Sequence, residues 1–278
     1  MTIRNNLTRT LIDIITLIVV SIVFIVPFVF IFLTASKTQA EAAMFEFSLP
    51  SQFRLLENLW EVIQFRDYRM VLALWNSFLL TVGSVLLIVI LAAGVAFVVQ
   101  RRNDRMASLV STLMLTGLII PPAVVPTIFV LQEIGLYKTL LGLIFVEVSI
   151  QLPFAVLILR AFMASIPREI DEAAIIDGSS PWQLFFYVIF PLLRPAIITI
   201  VVVSAVVIYN DFTLPLYFLP GSENVTAQLT LFSFISQFSS RWDLLFADVI
   251  IITIPPLIMY IFFQREIVAG LTSGAVKG

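Results

Sequence analysis

The sequence predicts an all-α, polytopic membrane protein of six transmembrane helices. Two observations predict it. Of the 278 residues, 60% are hydrophobic and 12% charged, whereas a soluble domain is about a quarter charged. The apolar residues gather into six runs, each long enough to cross roughly 30 Å of hydrocarbon as a helix. There is no cysteine and no histidine, which removes thiol and imidazole chemistry, thiolate zinc sites and every His-based catalytic arrangement. With a net charge of −2, nothing points to nucleic acid.

The runs lie near 11–33, 76–99, 108–131, 141–162, 192–219 and 244–264. Arg4 and Arg9 precede the first, as in a signal peptide, but its apolar stretch exceeds the ~7–15 residues of a signal core and reads as a retained helix. Residues 34–75 form a long segment with Phe45, Phe47, Phe53, Trp60, Phe65 and Tyr68; within it Leu55, Leu56, Leu59, Trp60 and Ile63 predict a short helix lying on the outer face. Pro121-Pro122 and Pro126 interrupt the third run and Pro255-Pro256 the sixth, while Pro215 and Pro220 blur the end of the fifth. Each proline breaks the intrahelical ladder, so disturbed helices point to a bundle that changes shape. A further loop, 219–243, carries Gly221, Ser222, Asn224 and Thr226 and then a Phe-rich amphipathic stretch. It reads either as a lid or protein contact, or as a simple connector.

Orientation follows from Lys and Arg. With the N-terminus cytoplasmic, Arg4, Arg9, Arg101, Arg102, Arg105, Arg160, Arg168, Arg194, Arg265 and Lys277 fall inside or at inner ends of spans, against Lys37, Arg54, Arg66, Arg69, Lys138 and Arg241 outside. The 163–191 loop is then cytoplasmic. It reads as two short helices joined by a tight turn. Pro167 opens the first, where a missing N–H costs nothing; Glu169, Asp171 and Glu172 lie in its first turns, where the helix dipole favours negative charge. Gly178 supplies a left-handed stop after Asp177. Ser180-Pro181-Trp182-Gln183 is a capping box with Pro at the first helical position, followed by an apolar stripe of Trp182, Phe185, Phe186 and Ile189. Ala173 and Ala174 offer a face without bulk that another surface can approach. The competing reading is a solvated connector.

Ionisable residues in a membrane each need a partner or a job. Glu147 and Gln151 lie one turn apart on the fourth run, as a polar wall of a solute path or as a buried pair holding helices together. Asn210 and Asp211, beside Tyr209, coincide with a broken helix. Sugars stack on aromatic faces and hydrogen-bond through hydroxyls, so this is a second candidate stretch of path; the alternative is that these residues only break the helix. Arg160, Arg194 and Asp248 are expected to reach for the membrane surface.

The pattern Glu172-Ala173-Ala174, three residues, Gly178, then nine residues to Val188-Ile189-Phe190-Pro191 resembles the Glu-Ala-Ala loop of permease subunits of binding-protein-dependent ABC importers. The family has Ile and Leu where this chain has Val188 and Phe190; both positions stay apolar. Gly135-Leu136-Tyr137-Lys138-Thr139, Leu152-Pro153-Phe154, the run from Ile166 to Ala174, Asn210-Asp211-Phe212 and the tail Gly270 to Gly278 are similar to the carbohydrate branch, nearest to the smaller six-helix subunit of a maltose-type importer. The resemblance implies a type I ABC importer permease fold in the bacterial inner (plasma) membrane. It divides the chain into a first helix with a long outer loop (1–75), a permease core (76–265) holding the coupling loop 163–191, and a cytoplasmic tail (266–278). It implies a second homologous permease subunit, two ATP-binding subunits, an external solute-binding protein, a sugar or oligosaccharide substrate and surrounding lipid. Glu169, Glu172, Ala173, Ala174, Asp177 and Gly178 would couple to the ATPase; Glu147, Gln151, Tyr209, Asn210 and Asp211 would line the path. No Gly-x-x-x-x-Gly-Lys-Ser/Thr loop occurs, so ATP and magnesium belong to the partners and this chain is expected to carry no cofactor, metal or catalytic site. An ion-gradient-driven carrier using Glu147, a membrane-embedded enzyme and a permease for a non-sugar solute remain the alternatives.

Overall fold

The computed structural model describes residues 2–221, 223–235 and 240–275, with side chains over 13–264 of these. Every regular element among them is helical. No water reaches a bilayer core, so each segment must satisfy its own backbone groups, and a helix does so internally. Helix α1 is Thr2–Ala35. Leu55–Arg101 is divided by a left-handed turn, with Arg66, Asp67 and Tyr68 at φ 47°, 55° and 60°, into α2 (55–64) and α3 (69–101). There follow α4 (Arg105–Ile119), α5 (Val124–Glu133), α6 (Leu140–Met163), α7 (Arg168–Ile176), α8 (Pro181–Leu192), α9 (Arg194–Asn210), α10 (Thr213–Phe218) and α11 (Trp242–Ala275). Among the described residues, four helices are long and apolar enough to cross a membrane, and six spans result if each bent pair is counted as one.

The proline expectations divide. Pro121-Pro122 break the third run outright: α4 and α5 are bent by 119° across residues 120–123. Pro255-Pro256 do not break the sixth, and α11 continues through them. The fifth run ends not at Pro215 but at Asn210, because the Asp211 carboxylate accepts the Thr213 N–H at 2.8 Å and the Leu214 N–H at 3.3 Å and so starts α10. Pro215 then sits in the first turn of α10, where no intrahelical bond is lost. The tail is helical to Ala275; residues 276–278, like Ser222 and 236–239, lie outside the described residues.

The chain forms two compact units, Met1–Val71 with Thr230–Ile254 and Leu72–Leu229 with Pro255–Gly278. In the first, the 34–75 segment is tightly stapled. Lys37 is buried and its Nζ donates to the Glu46 carbonyl at 2.6 Å and to Ser48 Oγ at 3.1 Å. Asn58 Nδ2 donates to the Ala35 and Lys37 carbonyls at 2.8 and 2.9 Å. The short helix is therefore present, but its buried face is Asn58 and Val62, while Leu56 and Trp60 are exposed. Asp248 does not reach for the surface: it is fully buried and accepts the Thr230 hydroxyl.

The second unit holds the main core. Ala92, Ala93 and Ala96 of α3, Leu143, Ala155 and Leu159 of α6, and Ile200 of α9 are buried in it. Lipid tails are as apolar as leucine, so helices here gain from close packing rather than from escaping solvent, and small residues allow the approach. Arg160 is half-buried and donates to Ser111 Oγ, tying α6 to α4 instead of reaching outward.

Asp104 starts α4 by accepting the Ala107 N–H at 2.8 Å, and it pairs with Arg102. The Ala107 bond first, and then Arg102, hold its carboxyl below the ordinary value. A carboxyl depressed in the folded state stabilises above its unfolded value, and that contribution is lost as pH falls through the folded one. Exchange of the Ala107 amide should thus accelerate below about pH 4 relative to the Asp104→Asn variant; identical pH profiles in the two proteins would rule the cap out as the cause.

Candidate functional site

The 163–191 hairpin is built from local backbone chemistry. Pro167 precedes α7, whose first turn carries Glu169 and Asp171. At its end Gly178 has φ +84°, its N–H bonds the Ile175 carbonyl at 3.0 Å, and the Ser179 N–H bonds the Ala174 carbonyl at 3.0 Å. These two bonds occupy helix-terminal acceptors that would otherwise be orphaned. Two residues on, Ser180 Oγ accepts the Gln183 N–H and Gln183 Oε1 accepts the Ser180 N–H at 2.8 Å, the reciprocal box that starts α8. Pro181 is the first helical residue.

The faces differ from expectation. Asp171 and Ala174 are buried, and Ala174 packs into the core of this chain. Glu169, Glu172, Ala173, Asp177 and Gly178 are exposed, together with Ile175 and Ile176, the latter 84% exposed. In α8 the stripe is rotated. Leu184, Phe185 and Ile189 are buried, whereas Trp182 is 74% exposed and stacks on exposed Phe186. The chain is π-helical over Leu184–Ile189, and the wider turn departs from the 3.6-residue period on which the stripe rests.

Asp171 meets Arg101, the last residue of α3. Arg101 Nε lies 2.6 Å from Asp171 Oδ2 and Nη2 donates to Oδ1 at 3.1 Å; both Nη atoms donate to the Ile166 carbonyl at 3.3 Å. The two side chains are 13% and 12% exposed. Sequence reasoning counted Arg101 only as a positive charge. Asp171 shares a helix face with Ala174, three residues on, which signals a buried carboxylate needing a cation, but nothing local says which.

The five expected path residues all belong to the second unit. Glu147 and Tyr209 are buried, Gln151 and Asp211 half-buried, and Asn210 exposed. Glu147 and Asp211 come together, carboxyl beside carboxyl. Asn210 Oδ1 accepts from Gln228 Nε2 at 3.4 Å, adding a residue that sequence reasoning did not single out. Glu147 is therefore the buried member of the pair, and Asn210 the most exposed of the five.

The family model for the binding-protein-dependent transport system inner membrane component matches residues 84–272, which take in both the hairpin and this polar cluster. The chain belongs to that family. Like its relatives it is a multi-pass membrane protein of the inner-membrane component type. It is 30% identical over 267 residues to the diacetylchitobiose uptake system permease protein NgcG of Streptomyces coelicolor, covering 94% of this chain and 87% of that one. It is 29% identical over 264 residues to the melibiose/raffinose/stachyose import permease protein MelC of Bacillus subtilis, covering 94% of each. A chain of a crystallised bacterial ABC transporter involved in import of the acidic polysaccharide alginate matches with a TM-score of 0.81 at 19% identity, over 94% of this chain and 97% of that one. The permease therefore has the type I importer fold.

Proposed function

We propose that this chain is one of two permease subunits of an ATP-driven, binding-protein-dependent importer of a sugar or oligosaccharide, with its N-terminus in the cytoplasm and the 163–191 hairpin as the docking point of a separate ATPase. The exposed face of α7 carries the reading. Ile175 and Ile176 project from a short helix fixed at its end by Gly178, with Glu169, Glu172 and Asp177 around them. Such a face, too apolar to be left in water and too acidic for lipid, fits a protein partner with apolar and basic groups. The carbohydrate class is supported by the names of the relatives, which import diacetylchitobiose or melibiose, raffinose and stachyose, and by the amide and carboxyl groups of Asn210, Asp211 and Gln228, which suit hydroxyls. ATP and magnesium would be bound by the partner.

Because the chain has no cysteine, a single Ile176→Cys substitution gives a clean crosslinking site. In the assembly purified with its own ATPase, a short crosslinker should join position 176 to the ATPase. In proteoliposomes, uptake of labelled raffinose or diacetylchitobiose should require both ATP and the loaded binding protein. Uptake without ATP that collapses with an uncoupler would replace this reading with an ion-driven carrier, and a position 176 that reaches only water would remove the docking assignment.

A further inference from the structure

We infer that the Arg101–Asp171 ion pair is the joint that carries movement of the hairpin into α3, and that Arg101 is therefore a positioning residue for coupled transport. The inference rests on the proposed coupling role of the hairpin and adds the route by which one particular span is moved.

The hairpin has a covalent route to two spans. Its first end continues from α6 through residues 164–167, and its second end runs through α8 into α9 across a 72° bend. Helix α3 has no such route, since 66 residues separate Arg101 from Arg168 in the chain and α4, α5 and α6 intervene. Arg101 closes that gap. Its Nη2 donates to Asp171 Oδ1 at 3.1 Å, its Nε stands 2.6 Å from Oδ2 in ion-pair contact, and both Nη atoms hold the Ile166 carbonyl just beyond α6. One planar group thus fastens the end of α3, the exit of α6 and the start of α7. A planar group held by two partners at once resists rotation as well as separation, which a single ammonium contact does not.

Each charge also sits where a helix favours it. Arg101 lies in the last turn of α3 and Asp171 in the first turn of α7, so both helix dipoles reinforce the pair. The surroundings are largely dry. Ile166 and Ala174 are buried beside it, and little of either charged side chain meets solvent. Exposed pairs are weak and loose, but a largely buried pair is costly to break. Helix α3 runs over 33 residues (69–101), or about 50 Å at 1.5 Å per residue, so a displacement applied at Arg101 is applied to the full length of a span.

The test uses the whole assembly in proteoliposomes, with labelled raffinose uptake and ATP hydrolysis measured together. Asp171→Asn and Arg101→Gln should each lower sugar moved per ATP by about tenfold while ATP hydrolysis stays within about twofold of the unaltered complex. The double variant should be no worse than the poorer single one, as expected of two residues that act only through each other. An unchanged ratio, a parallel fall in uptake and hydrolysis, or additive losses in the double variant would each overturn the inference. Should Arg101→Gln fail to assemble, Arg101→Lys, which keeps the cation but not the planar group that holds both Asp171 and the Ile166 carbonyl, reads the same ratio: a fall supports the joint and wild-type coupling rejects it. If the unaltered complex shows no ATP-driven uptake, the coupling reading itself fails; if it couples and the variants couple equally, only the joint fails.

Discussion

Replacing Gly178 by proline should cut ATP-driven uptake by about a hundredfold, the upper end of the range for coupling between sites, while leaving membrane insertion intact. Gly178 does two things that proline cannot. Its φ of +84° is far from the value near −65° that the proline ring imposes. Its N–H also bonds the Ile175 carbonyl at 3.0 Å, and proline has no N–H to give. Once φ changes sign, the Ser179 N–H no longer reaches Ala174, and α8 leaves the turn in a different direction. On the coupling reading, the partner would then push against a hairpin whose two halves no longer keep their angle. Gly178→Ala is the graded control: it keeps the N–H and costs roughly 1 kcal/mol for the left-handed conformation, so uptake should fall much less. No apolar span is altered, so insertion into the membrane should be normal. Uptake equal to wild type in Gly178→Pro would show that the turn transmits nothing.

What the sequence made legible here is what neighbouring residues decide between themselves. The Ser180–Gln183 box, the stop at Gly178 and the acidic first turn of α7 each lie within a few positions, and the structure has all of them. The apolar runs were equally readable, because hydrocarbon thickness alone sets their length. The misses have the opposite character. The π-helical stretch over Leu184–Ile189 departs from the 3.6-residue period that the stripe assumed, and Trp182 is exposed while Leu184 is buried. Asp211, not Pro215, ends the fifth run, because a carboxylate that takes two N–H groups starts a new helix more decisively than a proline stops an old one. Arg101 with Asp171, and Glu147 with Asp211, are 70 and 64 residues apart; only the folded bundle brings such partners together, and no periodicity records them.

Gly142→Ala should destabilise the protein by about 2–3 kcal/mol, the upper range for forcing extra atoms into a packed site. Gly142 lies in the first turn of α6, where its N–H bonds Thr139 Oγ1 at 3.0 Å. A Cβ there would stand 2.1 Å from the Leu136 carbonyl oxygen, 3.1 Å from its carbon and 3.2 Å from Thr139 Oγ1. The obstacle is backbone, so no side chain can swing aside. Nor is that backbone free to retreat. The Leu136 and Tyr137 N–H groups both bond the Leu131 carbonyl, at 2.8 and 3.0 Å, and the Lys138 N–H bonds the Phe218 carbonyl at 3.2 Å. The Lys138 carbonyl in turn accepts from Asn224 Nδ2 at 2.7 Å. Making room for one methyl group therefore strains the turn from Gly135 to Thr139 and its ties to the end of α10 and to residue 224, both of which lie between Asn210 and Gln228 in the chain. Gly83→Ala is the contrast, since its Cβ would meet only the mobile end of Ile144, at 3.0 Å. In thermal unfolding of the detergent-purified assembly, Gly142→Ala should melt well below wild type and Gly83→Ala close to it. Equal melting of all three would mean that the Leu136 carbonyl does not lie against α6.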